Sequence, residues 1–142
     1  MIKTSKLTCL ITFTIFTLFL LSCKSPIQEL TISVTHRVFT DYHEEIKMKM
    51  GEKYQLSDAN YYVRAINFIP DFAIDTTTGK AFSRSDSLRN PAVKLEVFKK
   101  GKKLEEVWAF QKVQAPHFSG HSFLGFKLID FKIEDKFKKV KD

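Results

Sequence analysis

Apolar and polar side chains alternate at every second position through most of the chain beyond residue 29. In the clearest run, residues 30–39, Leu30, Ile32 and Val34 alternate with threonine and serine. A period of two in β-branched residues predicts a half-buried strand. Similar segments lie between groups of turn residues, at 46–50, 54–56, 61–69, 71–74, 93–98, 104–110 and 123–133. No segment has helical periodicity, so we predict an all-β fold, a compact antiparallel β-sandwich or partly open barrel of about eight short strands.

The second half of the chain carries the most regular alternation. Four lysines around Gly101 predict a hairpin tip, and Trp108 and Phe110 are expected on one face of the strand that returns from it. Strict alternation in the last strand places Phe126, Leu128 and Asp130 on one face. The other face is then expected to hold Lys127, Ile129, Phe131 and Ile133.

The first residues follow a different pattern. Lys3 and Lys6 precede an uncharged run over residues 7–21, which ends at Ser22 and Cys23. A basic start, an apolar stretch and a small residue before the cleavage point are typical of a secretory signal. The cysteine directly after the small residue resembles the lipobox of bacterial lipoproteins. We therefore expect residues 1–22 to be a cleaved signal peptide and Cys23 to carry the lipid, with palmitate among its acyl chains.

Two other interpretations of this segment stay open. It is shorter than the roughly 20 apolar residues of a membrane-spanning helix, which counts against an uncleaved anchor. A plain secretory signal without lipid is the third interpretation. With lipidation, the chain divides into a signal peptide (1–22), a lipidated cysteine with a short tether (23–27), a β-sandwich domain (28–134) and a basic tail (135–142).

Charge and cysteine content limit the partners and the cellular location that we expect for the protein. The net charge is +7, and removal of residues 1–22 with their two lysines lowers it to +5. Only four of the 23 basic residues are arginine, the side chain that reads bases best, so we expect no nucleic-acid partner. The excess of lysine suits a surface near anionic lipid headgroups. We expect a lipid-anchored protein of the bacterial cell envelope, facing the periplasm or in the outer membrane. Because the two cysteines are Cys9 and Cys23, no disulfide is expected in the domain.

The histidines are the candidate ligands for a metal or haem. His117 and His121 are four residues apart in a predicted loop over 114–122, and His43 stands beside two glutamates. Such spacing occurs in zinc sites, although those need further ligands. His36, at the end of the first apolar row, is expected to hydrogen-bond backbone rather than a ligand.

Enzyme motifs are missing from the sequence. It has no Gly-x-Ser-x-Gly, no His-Glu-x-x-His and no glycine-rich phosphate loop. Asp71, between Pro70 and Phe72, is expected to cap a turn. We expect no enzymatic activity and no resident cofactor, with haem or a divalent metal as the alternative.

A series of structural residues in the middle of the chain has a family resemblance. The series comprises Gly51-Glu52, Tyr54, Leu56, residues 68–72, Ser83, Ser85, residues 90–92, Gly101, residues 108–110 and residues 116–118. In this order, across residues 46–131, it resembles the extracytoplasmic β-rich region of ResB-like cytochrome c assembly proteins. The resemblance implies a β-rich fold and an accessory role in the envelope. That family handles haem with residues beside membrane-spanning helices, which have no counterpart here, so the haem function is not implied.

Two hypotheses follow. The first is a lipid-anchored, non-catalytic β-domain that binds or scaffolds an envelope protein, with an accessory role in cytochrome c maturation as its extension. The second is a small haem or metal carrier that uses His117, His121 and His43. The carrier requires these histidines to converge, whereas the binding module requires an exposed apolar or aromatic patch.

Overall fold

A computed structural model describes residues 26–58, 60–113 and 117–134, and for residues 117 and 118 it describes the backbone alone. The signal peptide 1–22, Cys23, most of the tether 23–27 and the basic tail 135–142 lie outside the described residues. The described part of the chain is all-β, as the alternation predicts.

Ten strands make up the structure. They are β1 (Ile27–His36), β2 (His43–Met48), β3 (Lys53–Gln55), β4 (Tyr61–Ile69), β5 (Phe72–Ile74), β6 (Ala81–Ser83), β7 (Ala92–Lys99), β8 (Lys102–Phe110), β9 (His117–Phe118) and β10 (Leu124–Ile133). The short strands β6 and β9 do not follow from the alternation, because each adjoins or lies in a polar segment that predicts a loop.

One sheet in the order β2-β1-β10-β8-β7-β4-β3 curls into a nearly closed barrel. Its strands are antiparallel except β8 and β10, which run parallel and pair at Lys127 and Phe110. They run parallel because the chain returns along the barrel between them, and β9 pairs with the first part of β10 during that return. The barrel alternative of the predicted fold is therefore the one observed.

The barrel encloses one hydrophobic core. Its walls are the inward rows of the long strands, and the fully buried members include Leu30, Ile32, Val34, Val63, Leu95 and Phe126. The amide of Glu134 donates to the carbonyl of Pro26 at 2.8 Å, which joins the two ends of the described chain. The ten described strands and this core lie within residues 26–134, so a chain that begins at Lys24 contains all of them.

A two-stranded hairpin, β5–β6, covers part of the outer barrel surface. Val107 and Ala109 of β8 face the main core, so Trp108 and Phe110 share the opposite face, as predicted. Phe72 packs edge-on against both rings, each at a centroid distance of 4.9 Å. A second, smaller core therefore fixes the hairpin to the barrel.

Asp71 holds the base of this hairpin. Its carboxylate is buried, 2.8 Å from the guanidinium of Arg84, and it accepts a hydrogen bond from the Ser85 hydroxyl at 3.0 Å. Burial raises the pKa of Asp71, but these contacts with Arg84 and Ser85 outweigh it and hold the pKa below its usual value. The residue thus has a structural role, through an ion pair between its buried carboxylate and the exposed Arg84 rather than through the predicted turn cap.

A β-bulge makes the predicted faces of β10 wrong beyond residue 128. Ile32 pairs with Leu128 but Thr31 pairs with Asp130, so Ile129 is an extra residue. Strict alternation therefore shifts by one position. Phe131 and Ile133 pack against the same core as Leu128, and Ile129 faces solvent.

Candidate binding cleft

An open cleft of about 640 Å³ lies at one end of the barrel. Its walls come from four connections: the β1–β2 loop, the β3–β4 turn, the β7–β8 hairpin and the turn before β10. The volume is within the range of small-molecule sites, about 300–1,000 Å³. Both ends of the described chain lie at the opposite end of the barrel, because β1 runs from Ile27 to His36 at the cleft.

Aromatic rings line one wall, with His36 at the centre. Its ring centroid lies 4.8 Å from that of Phe39, 6.4 Å from that of Phe123 and 6.5 Å from that of Tyr42. Phe39 is nevertheless 68% exposed, Val38 63% and Phe123 47%. Large apolar side chains gathered at one place and left open to solvent are typical of a binding surface.

His36 fixes the loop that carries Val38 and Phe39. Its Nδ1 accepts hydrogen bonds from the amides of Val38, at 3.1 Å, and Phe39, at 3.0 Å. The predicted backbone hydrogen bonding of His36 is confirmed, and it shapes the wall of the cleft.

Backbone strain is concentrated at the cleft. Across the described residues, two non-glycine positions have positive φ: Lys100 at 49° and Phe123 at 59°. Both line the cleft. The left-handed conformation is unfavourable for residues with a side chain, so it persists only where surrounding contacts enforce it. Such residues cluster at functional sites.

A cluster of serines on a carboxylate enforces the conformation of Phe123. The Glu105 carboxylate accepts hydrogen bonds from the Ser119 hydroxyl and, at 3.0 Å, from the Ser122 amide. The two buried serine hydroxyls bond each other, and the Ser122 hydroxyl accepts from the Leu124 amide. Burial raises the pKa of Glu105, but the serine hydrogen bonds outweigh it, so the pKa lies below the usual value.

The rim of the cleft at the β7–β8 hairpin is basic. Lys99 and Lys100 are exposed, and the Lys99 ammonium lies 4.9 Å from the centroid of the Tyr61 ring. The Lys100 amide donates to the Asn60 carbonyl at 2.9 Å, which holds the hairpin against the β3–β4 turn. Asp58 is the acidic residue of the lining, and its carboxylate accepts from the Asn60 amide and side chain. In the described chain neither lysine has a carboxylate partner within 4.0 Å.

Glu44 links Tyr42, which lines the cleft, to the gap between the two edge strands β2 and β3. It accepts from the Tyr42 hydroxyl at 2.8 Å and from the Ser57 amide and hydroxyl at 3.0 and 2.5 Å. These bonds join β2 to the end of β3, the two strands at the open edges of the sheet. Burial, together with the Glu44 contact, raises the pKa of Tyr42 to about 12, so the hydroxyl stays protonated and donates.

The structure places His43 away from the other two predicted ligand histidines. His43 begins β2 and is exposed, whereas the backbone of His117 pairs in β9 and His121 is exposed in the turn that follows. β2 and β9 are three strand spacings apart across β1 and β10, about 14 Å along the sheet. His117 therefore lies in a short strand rather than in the predicted loop, although its side chain is outside the described part. The described residues contain no group of three His, Cys, Asp or Glu side chains placed to hold a metal.

Sequence reasoning did not identify the cleft. One signal was available: Val38 and Phe39 continue the apolar run beyond the point where β1 ends. Alternation extended the predicted strand over them, although they form an exposed loop. The convergence of this loop with Lys100 and Phe123 depends on strand order, which alternation does not encode.

Comparisons with known proteins identify no relative. No family model, no curated protein and no solved structure matches the chain. Within residues 26–58, 60–113 and 117–134, no helix has the length and apolar character needed to cross a bilayer.

Proposed function

We propose that this protein is a lipid-anchored, non-catalytic binding module of the bacterial cell envelope, and that its binding surface is the aromatic cleft. The observation that carries the proposal is the placement of exposed Val38, Phe39 and Phe123 around a cleft that also contains both strained backbone positions. An exposed aromatic patch is the feature that separates a binding module from a histidine carrier.

The position of the cleft suits a tethered module. Cys23 precedes Pro26 by three residues, and Pro26 lies at the barrel end opposite the cleft. β1 has ten residues and rises about 3.3 Å per residue, so the barrel ends are about 30 Å apart. A lipid on Cys23 would hold the Pro26 end of the barrel at the membrane. The cleft would then face away from the membrane, toward other envelope components.

The resemblance of residues 46–131 to ResB-like proteins extends the proposal to an accessory role in cytochrome c maturation. The extension rests on the order of structural residues and carries no haem-binding residue with it. The carrier alternative then rests on His117 and His121, because His43 is separated from β9 across the sheet. Two histidines fall short of the ligand set of a zinc site, which favours the binding module.

Photocrosslinking in cells tests the binding surface. A photoreactive phenylalanine analogue replaces Phe39, and in the matched control it replaces Phe82, which is 45% exposed on the distant β5–β6 hairpin. We expect light-dependent adducts at position 39 and none at position 82, read as a mass increase of the intact chain. Equal adducts at both positions, or none at position 39, would contradict the proposal.

A further inference from the structure

We propose that the cleft binds a small amphipathic anion, a molecule with an apolar body and one carboxylate, sulfonate or phosphate group. This inference deepens the proposed function by naming the class of ligand. It rests on two features that line the same cleft: the aromatic wall around His36 and the basic rim of the β7–β8 hairpin.

The aromatic wall would contact the apolar body of the ligand. Phe39 and Phe123 flank the His36 ring and leave large parts of their own rings open, so they offer faces for stacking or for contact with an acyl chain. Leu124, at the inner end of the cleft, is buried and adds an apolar surface at its base. The His36 imidazole, held by two backbone amides, completes this wall.

The basic rim would contact the anionic group of the ligand. Lys99 and Lys100 supply two ammonium groups that form no salt bridge among the described residues, whereas the carboxylate of Asp58 is engaged by Asn60. An anionic group on the ligand would therefore meet two cations that have no carboxylate partner among the described residues. Unlike charges a few ångströms apart at such an exposed position attract modestly, and salt screens the attraction.

The conformation of the wall and rim does not depend on the ligand. Glu105, Ser119 and Ser122 hold Phe123 in the left-handed region, and the Asn60 carbonyl holds the Lys100 amide. A site held in its bound shape loses little conformational entropy on binding, which favours a small ligand with few contacts.

The test is a titration of the chain from Lys24 to Asp142, which contains all ten described strands, with 8-anilinonaphthalene-1-sulfonate. Fluorescence should rise with saturable one-to-one binding. The double variant Lys99→Gln/Lys100→Gln should weaken binding about five- to tenfold, and 0.5 M NaCl should have a similar effect. The variant Phe39→Ser should weaken it by about tenfold through loss of ring contact.

Matched controls keep these results specific. Lys47→Gln/Lys112→Gln removes two exposed lysines elsewhere on the surface, and Phe82→Ser removes an exposed ring from the distant hairpin. Both should bind the probe as the unmodified chain does. The uncharged analogue N-phenyl-1-naphthylamine should bind more weakly than the sulfonate and should not respond to the lysine substitutions.

Competition distinguishes two sources of the ligand chemistry. Displacement of the probe by dodecanoate below its micellar concentration would assign an acyl acid, and displacement by 1-naphthaleneacetate would assign an aromatic acid. Equal affinity for the charged and uncharged probes, or unchanged binding in Phe39→Ser, would overturn the inference. A protein adduct from position 39 in cells without saturable probe binding would also overturn it, while the proposed binding function would stand.

Discussion

Single side chains determine the shape of the cleft more than its apolar content does. His36, Glu105 and Glu44 each accept two or more hydrogen bonds from the segments that form the walls. His36 ends β1 and Glu44 is the second residue of β2, where backbone amides lack a partner in the sheet, whereas Glu105 lies within β8. Polar residues here therefore keep exposed apolar residues such as Phe39 in fixed positions.

Glu105 should make the stability of the domain sensitive to acid. Its folded-state pKa lies below the usual value, so its contribution is fully present above the unfolded pKa of about 4.3 and is lost as the pH falls through the folded pKa. We expect the free energy of unfolding to be steady from pH 7 to about 5 and to fall below pH 4. Urea unfolding at a series of pH values measures this.

Substitution separates Glu105 from the other carboxylates. Glu105→Ala should lower the free energy of unfolding at pH 7 by about 1–3 kcal/mol, because Ser119 and Ser122 lose a buried acceptor. It should also flatten the acid limb of the pH profile. Glu45→Gln, an exposed position on β2, should leave both unchanged. An acid limb that is identical in Glu105→Ala and the unmodified chain would contradict this role.

At the scale of elements, the sequence predicts strands better than it predicts their partners. The long strands β1, β4, β7, β8 and β10 follow from alternation because each has one face in the core. The bulge at Ile129 was not predicted, since one extra residue changes the face of Phe131 without changing local composition. The parallel contact of β8 and β10 was also missed, because it depends on how residues 111–123 return along the barrel.

The β5–β6 hairpin should depend on one buried ring. Phe72→Ala removes a side chain that is 8% exposed between Trp108 and Phe110, and it should cost about 2–4 kcal/mol. Trp108 is the single tryptophan, so its emission should shift to the red as the hairpin loosens. Chemical unfolding with fluorescence detection measures both effects.

The same hairpin offers its own control. Phe82 lies on β6 but is 45% exposed, so Phe82→Ala should change stability by no more than about 0.5 kcal/mol and leave the emission of Trp108 in place. If Phe72→Ala were equally mild, the second core would not be what holds the hairpin to the barrel.

In the whole molecule, the chain ends and the cleft lie at opposite ends of the barrel. Residues 26 and 134 meet at one end, and the cleft opens at the other. With a lipid at Cys23, the binding surface would face away from the membrane that holds the chain. The lipobox-like Ser22-Cys23 is readable from sequence alone, whereas the cleft required the strand order.

The most direct test of the account is the intact mass and N-terminal sequence of the mature protein from the membrane fraction of expressing bacteria. We predict a chain that starts at Cys23 and carries a diacylglyceryl group, and a Cys23→Ala variant that stays unprocessed at this position. A mature chain that retains Met1, or that carries an unmodified cysteine after cleavage, would contradict the lipid anchor and with it the proposed orientation of the cleft.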